Sequence, residues 1–290
     1  MANILIKLLR IIRLCGKLIV FLLKLAKTIL TFHRDVRINE RLLSNLDELL
    51  TNLNSPQSLT KTTADSKSLY QDYDDREQQE YLTHSDLCLV NNKVEKITQK
   101  KQREIHLSYI FSEIDSLLKY KNKVTILEVG CGNCINVFEI LKKYGELVEL
   151  HGVDISSNRI GNAKKHFGSA LDGANLIVAS ITEKTSFDNN QFDLVYSMFC
   201  LEQISYDIKP ALLEMYRIAN NKIVMLEPVF ENGTFLQKIY LIVSDHTRIL
   251  LKSIKELGLP LEKNDILDLQ FNPSNQSSIL IINKSSASYR

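Results

Sequence analysis

Four residues between positions 128 and 154 have the types and spacing to hold a small ligand: Glu128, Gly130, Gly132 and Asp154. The first three lie in "ILEVGCGNCINVFEI" (126–140), where an apolar run stops at a glycine loop and an apolar periodic segment resumes behind it. Glycines at such a strand end let the backbone come close to a ligand. A dinucleotide fingerprint needs a third glycine at position 135 to seat a pyrophosphate, but that residue is Ile135, and no Gly-Lys-Ser/Thr follows for a phosphate loop. Asp154 ends the next apolar run in "VDIS", where a carboxylate can accept both hydroxyls of a ribose. Glu128, just before the glycines, can position a cationic group. The chemistry is that of a ribose-bearing, positively charged ligand without phosphate.

Further candidates lie downstream. The segment 227–258, "EPVFENGTFLQKIYLIVSDHTRILLKSIKELG", is longer than a simple crossover and carries Glu227, Glu231, Tyr240, Asp245, His246 and Arg248. It is expected to roof the ligand site. If the substrate presents a hydroxyl, a base is required, and His246 is the candidate, with Tyr240 and Glu202 as further catalytic candidates. Glu202 in "LEQI" (201–204) is equally readable as a helix cap, and a lone His246 as a surface histidine. Cys131 and Cys134 form a CxxC, yet no second Cys or His pair stands at ligand spacing, so no metal site is expected.

The elements that must carry these residues alternate. Short apolar runs at 124–130, 148–156, 175–180, 192–199 and 222–228 are separated by helical patterns at about 134–144, 158–167 and 209–218. That order predicts right-handed crossovers and an α/β, doubly wound, mostly parallel sheet. Toward the end, "DILDLQF" and "SSILIINK" flank "NPSNQ" and predict an antiparallel closing pair at the sheet edge. Upstream, the stretch from Ser68 to Tyr120 reads as helical, with a core stripe of Ile105, Tyr109, Phe111, Ile114, Leu117 and Leu118. The domain is expected to span 69–290.

A ligand with ribose and positive charge but no phosphate is S-adenosylmethionine. "ILEVGCGNC", "GVDIS", "NLIVASI", "FDLVYSMFCLEQI" and "IVMLEP" occur in the order and spacing of the class I S-adenosylmethionine-dependent methyltransferases, which the chain resembles over about residues 105–284. The resemblance implies a seven-stranded sheet of Rossmann-like fold. It also implies that Gly130 and Gly132 pass under the methionine part, Asp154 holds the ribose, Ile155 packs on adenine, Ser180 and Ile181 border the adenine edge, and Phe199 lies near the sulfonium. Two positions depart from the family pattern: Cys134 replaces a third glycine, and Ile181 stands where an acid often reads the adenine amino group.

Charge is unevenly placed. Residues 1–34 carry seven Lys or Arg and no acid, which against a total of +2 leaves the remainder at −5. A mildly acidic body is unlike a nucleic-acid binder. Five scattered cysteines point to reduced thiols in a cytoplasmic chain. On a helical wheel the N-terminal cations flank a wide apolar face that includes Ile4, Leu8, Ile11, Leu18, Leu22 and Ile29. No run is long enough to span a bilayer, so the pattern suits an in-plane helix on an anionic membrane. Pairing with a second copy, or docking on the body, uses the same heptad-like spacing. A second amphipathic helix and a polar linker are expected over 35–68. The functional expectation is a membrane-peripheral methyltransferase acting on a lipid, a lipid-linked glycan or another small molecule. Its alternative is a non-catalytic binding or scaffold protein that keeps the fold.

Overall fold

The computed structural model describes residues 85–91, 93–204, 208–234, 237–238, 240–241, 246–270 and 277–284. The expected N-terminal helix, second helix and linker (1–68) lie outside the described residues, as does Asp245 of the roof.

The chain opens on a hairpin, β1 (Ser85–Val90) and β2 (Lys93–Thr98), followed by α1 (Gln99–Leu118). The helical expectation for 68–120 therefore fails over 85–98. Asn91, at φ 48° in the left-handed region, turns the chain between the strands, and β1 and β2 pair from Val90↔Lys93 out to Ser85↔Thr98. The helix starts only where the Thr98 side chain accepts the Lys101 N–H at 3.2 Å. Its buried face is Gln102, His106, Leu107, Ile110, Ile114 and Leu117, so Ile114 and Leu117 of the expected stripe are in the core.

From there the elements alternate as expected: β3 (Val124–Val129), α2 (Ile135–Tyr144), β4 (Val148–Asp154), α3 (Ser157–Phe167), β5 (Ala174–Val178), β6 (Phe192–Met198), α4 (Ile208–Ile218), β7 (Ala219–Glu227) and α5 (Leu250–Glu256). The last strands are β8 (Leu261–Ile266), β9 (Leu269–Gln270) and β10 (Ser278–Asn283). The main sheet has seven strands in the order β5-β4-β3-β6-β7-β10-β8. Strands β5, β4, β3, β6 and β7 are parallel to their neighbours, and β10 runs antiparallel to both β7 and β8. The strand order reverses between β3 and β6, which puts a ligand crevice outside their carboxyl ends.

"DILDLQF" does not form one strand. Its first residues finish β8, and Leu269–Gln270 leave the main sheet to pair with β1 in a second sheet of order β2-β1-β9. Side chains alternate along the central strands. Ile126, Leu194 and Val224 face the cluster that holds α1, α2 and α3 residues such as Ile114, Ile140 and Ile160. Leu127, Val195 and Ile223 face the cluster that holds Leu212 and Met215 of α4 and Ile254 of α5. Being covered on both faces, these strands are near-continuous apolar runs.

Candidate functional site

The glycine loop leaves β3 and turns back onto β4, with the Gly130 and Cys131 N–H groups donating to the Val153 carbonyl at 2.8 and 3.1 Å. Gly130, Gly132 and Cys134 all adopt positive φ (74°, 50° and 56°). Cys134 thus holds, as the N-cap of α2, the left-handed conformation that a glycine would adopt without strain, at a cost of about 1–2 kcal/mol. A Cβ on Gly130 would lie 2.2 Å from the Cys200 Sγ, and one on Gly132 would lie 2.5 Å from the Arg159 guanidinium. The bareness of the loop thus serves two side chains of the protein itself. The Cys134 thiol donates to the Gly132 carbonyl at 3.6 Å, and the neighbouring Cys134 side chain, followed by burial, pushes the Cys131 pKa well up. A buried thiol held protonated is a poor nucleophile.

Asp154 knits the loop to the start of α3. Its Oδ2 accepts the Gly132 N–H at 2.8 Å and its Oδ1 accepts the Ser156 N–H at 2.9 Å. Each oxygen keeps lone-pair capacity for a further donor. Beside it, Ile155 is 43% exposed and Val178, paired with Asp154 across β4 and β5, is 50% exposed. Apolar side chains open to water on two adjacent strand ends are what a planar base would cover. Ser180 shares a hydrogen bond with the Thr182 hydroxyl at 2.8 Å. Ile181 is turned into the core with Val153 and Phe187, so its side chain serves the fold.

Glu128, at the end of β3, is buried. Its Oε1 accepts the Asn136 Nδ2–H at 2.6 Å, and Asn136 Oδ1 accepts from Arg103 on α1 at 2.6 Å. Its other oxygen is buried without a hydrogen-bond partner. Burial raises its pKa to about 7, partly offset by Asn136 and the nearby Tyr196 hydroxyl, which sits beside the carboxyl outside hydrogen-bond geometry. A buried, under-satisfied carboxylate next to a bare loop fits a ligand ammonium.

Across the strand reversal, Phe199 follows β6 with φ 53°, an unusual conformation for an aromatic residue. Its ring meets His106 of α1 edge-on at 5.0 Å. His106 is buried, and burial lowers its pKa to about 4, so it is neutral at pH 7. Cys200 carries a thiol whose pKa is raised well above the usual value, first by burial and then by the charges of Glu227 and Asp154.

The three catalytic candidates come together. Glu202 Oε2 lies 3.4 Å from His246 Nδ1, and the Tyr240 ring packs edge-on against the His246 ring at 5.9 Å. The Glu202 carbonyl accepts the Thr247 N–H at 2.9 Å, tying the roof to the turn after β6. Glu202 is therefore part of an acid–imidazole pair as well as of a short 3₁₀ turn (Leu201–Gln203). Asn136, Arg103, Arg159 and Cys200 were not singled out from the sequence, and Glu227 was named only as part of the expected roof. Among the described residues no group of three His, Cys, Asp or Glu could hold a metal ion.

Comparison with known proteins gives the arrangement a context. Residues 126–222 match a family model described as "Methyltransferase domain". O-methyltransferase 3 of Dictyostelium discoideum is 29% identical over 171 residues, covering 56% of this chain and 36% of that protein. The chain thus spans about a third of the curated relative's length. The crystal structure of geranyl diphosphate C-methyltransferase from Streptomyces coelicolor A3(2), in complex with Mg2+, geranyl diphosphate and S-adenosyl-L-homocysteine, superposes with a TM-score of 0.50 at 11% identity, covering 77% of this chain and all of that one. A geranyl diphosphate methyltransferase in complex with GPP and sinefungin gives 0.54 at 11% identity, with the same coverage. At such identities the likeness is one of fold.

Proposed function

We propose that this chain, whose domain belongs to the class I S-adenosylmethionine-dependent methyltransferase family, transfers a methyl group to a hydroxyl of a small molecule or lipid, with His246 as the base. The observation that carries the reading is the His246–Glu202 pair, 3.4 Å apart, with Glu202 on the turn that follows β6 and His246 on the segment between β7 and α5. A carboxylate at ion-pair distance from Nδ1 stabilises the imidazole once protonated. Asp154 would hold the ribose, Ile155 and Val178 would cover the adenine, and Glu128 would meet the methionine ammonium. Ser180 and Phe199 would border the adenine and the sulfonium.

Bound S-adenosylmethionine supplies an electrophilic methyl group on a positively charged sulfur. The protein aligns the acceptor, which is the main requirement of an in-line displacement, and His246 takes the hydroxyl proton as the new oxygen–carbon bond forms. The relative's name, O-methyltransferase 3, supports an oxygen acceptor. The basic amphipathic pattern of 1–34 supports a site at the surface of an anionic membrane, where the acceptor would be a lipid or a lipid-linked glycan.

The test follows methyl label from S-adenosylmethionine into a panel of catechols, hydroxy acids and glycolipids, beside calorimetric titration with S-adenosylhomocysteine. His246→Ala is expected to slow transfer by roughly 100-fold or more while S-adenosylhomocysteine binding stays within about twofold. Equal losses in both, or none in either, would remove His246 as the base. Absence of S-adenosylhomocysteine binding by the wild type would remove the enzyme reading and leave the scaffold alternative.

A further inference from the structure

Glu227 ends β7. Its side chain is fully buried. Four donors converge on it. Oε1 accepts the Ser197 hydroxyl at 2.9 Å and the N–H groups of Cys200 and Leu201 at 3.1 and 3.0 Å. Oε2 accepts the Glu202 N–H at 3.1 Å. Three consecutive backbone amides of one turn thus point at one carboxyl, an arrangement that fixes the turn as a unit. That turn carries Phe199 at positive φ, the Cys200 thiol packed over Gly130, and Glu202 facing His246. Glu202 is gripped from both sides of its peptide: its N–H by Glu227, its carbonyl by Thr247, the residue after His246.

We infer that Glu227 is a positioning residue for the His246–Glu202 pair, anchoring the 200–202 turn so that the Glu202 carboxylate is presented to the imidazole. The inference rests on the reading of that pair as the proton acceptor, and it assigns Glu227 no contact with substrate or cofactor. Burial raises the Glu227 pKa to about 8, with Glu202 adding to the rise and the turn amides opposing it. A buried carboxyl is retained there in spite of its desolvation cost, consistent with a geometric role.

The two oxygens give a specific test. In Glu227→Gln the amide oxygen can still serve the donors on Oε1, but the amide nitrogen would face the Glu202 N–H, donor against donor. Glu227→Asp keeps the carboxyl group and loses the reach. His246 is titrated by long-range 1H–15N NMR in the full-length chain, which needs no substrate. Removing the partner charge in Glu202→Gln is expected to lower the His246 pKa by about one unit or more, and both Glu227 variants should reproduce at least about half of that drop. If Glu202→Gln lowers the pKa and neither Glu227 variant does, the positioning role is overturned while the pair stands. A drop in Glu227→Gln but not in Glu227→Asp assigns the effect to the presence of a carboxyl and not to its reach, which also overturns the inference. If Glu202→Gln itself has no effect, the pair reading fails first. Should the Glu227 variants not fold, Ser197→Ala, which removes one donor and no charge, must lower the pKa in the same direction or the inference falls.

Discussion

At Glu128 the balance between burial and pairing sets a measurable property. Burial lifts its pKa to about 7, against the opposing pull of Asn136, Tyr196 and Arg103. A ligand ammonium placed on its unpartnered oxygen acts the other way, favouring the ionised form. Binding of S-adenosylhomocysteine just below pH 7 should therefore release up to one proton, and the release should fade as the pH rises above the free-state pKa. Calorimetry in two buffers of different ionisation enthalpy counts that proton, and Glu128→Gln should abolish it. No release at any pH would mean that Glu128 meets no cation. That Glu128, Gly130, Gly132 and Asp154 stand around one loop could be read from the sequence because a strand end and the loop after it are local. Arg103 and Asn136 are 33 residues apart, and Ser197 and Glu227 are 30 apart. Such pairs exist only once the sheet has stacked their elements, and no spacing rule announces them.

The glycine loop shows what an element asks of its neighbours. Gly130 is needed twice, for its positive φ and for the space filled by Cys200. Gly130→Ala should destabilise the domain by more than about 2 kcal/mol, combining backbone strain with overpacking. Cys200→Gly in the same chain should recover the packing part and leave the strain, so denaturant titration of the four variants should give a clear coupling. Strict additivity would show that the two residues do not compete for that space. The α/β alternation from β3 to β7 was readable because apolar runs and helical periods alternate cleanly there. The β1–β2 hairpin was not, since "SDLCLVNNKVEKIT" (85–98) has little apolar alternation on its exposed second strand and continues into a polar helix. The two-residue β9 was hidden for a related reason: it is held by pairing with β1, far away in sequence, and not by any period of its own.

On the scale of the whole molecule, charge is concentrated at one end of the chain, with seven cations in residues 1–34 and a net −5 elsewhere. If that segment binds an anionic surface, each cation contributes about 1 kcal/mol there. Deleting 1–34 should release the protein from phosphatidylserine vesicles while leaving S-adenosylhomocysteine affinity intact, and salt should weaken binding of the full chain. Full-length protein that stays in the supernatant at low salt would end the membrane reading, and a change in oligomer size on deletion would favour helix pairing. The strand order bears on synthesis as well. β10 fills the slot between β7 and β8 and is the main-sheet partner of β7 on that side. A nascent chain must therefore carry β7 with one edge unpaired, presenting Ile223, Val224, Met225 and Leu226, until residue 283 has been made. At about 5–20 residues per second that is a delay of several seconds, long enough for a chaperone or another nascent chain to find the edge. A stop codon just before β10 would remove its six strand residues, Ser278–Asn283, with whatever follows them and make that exposure permanent, so the yield of soluble protein should depend on those six codons far more than on their share of the length.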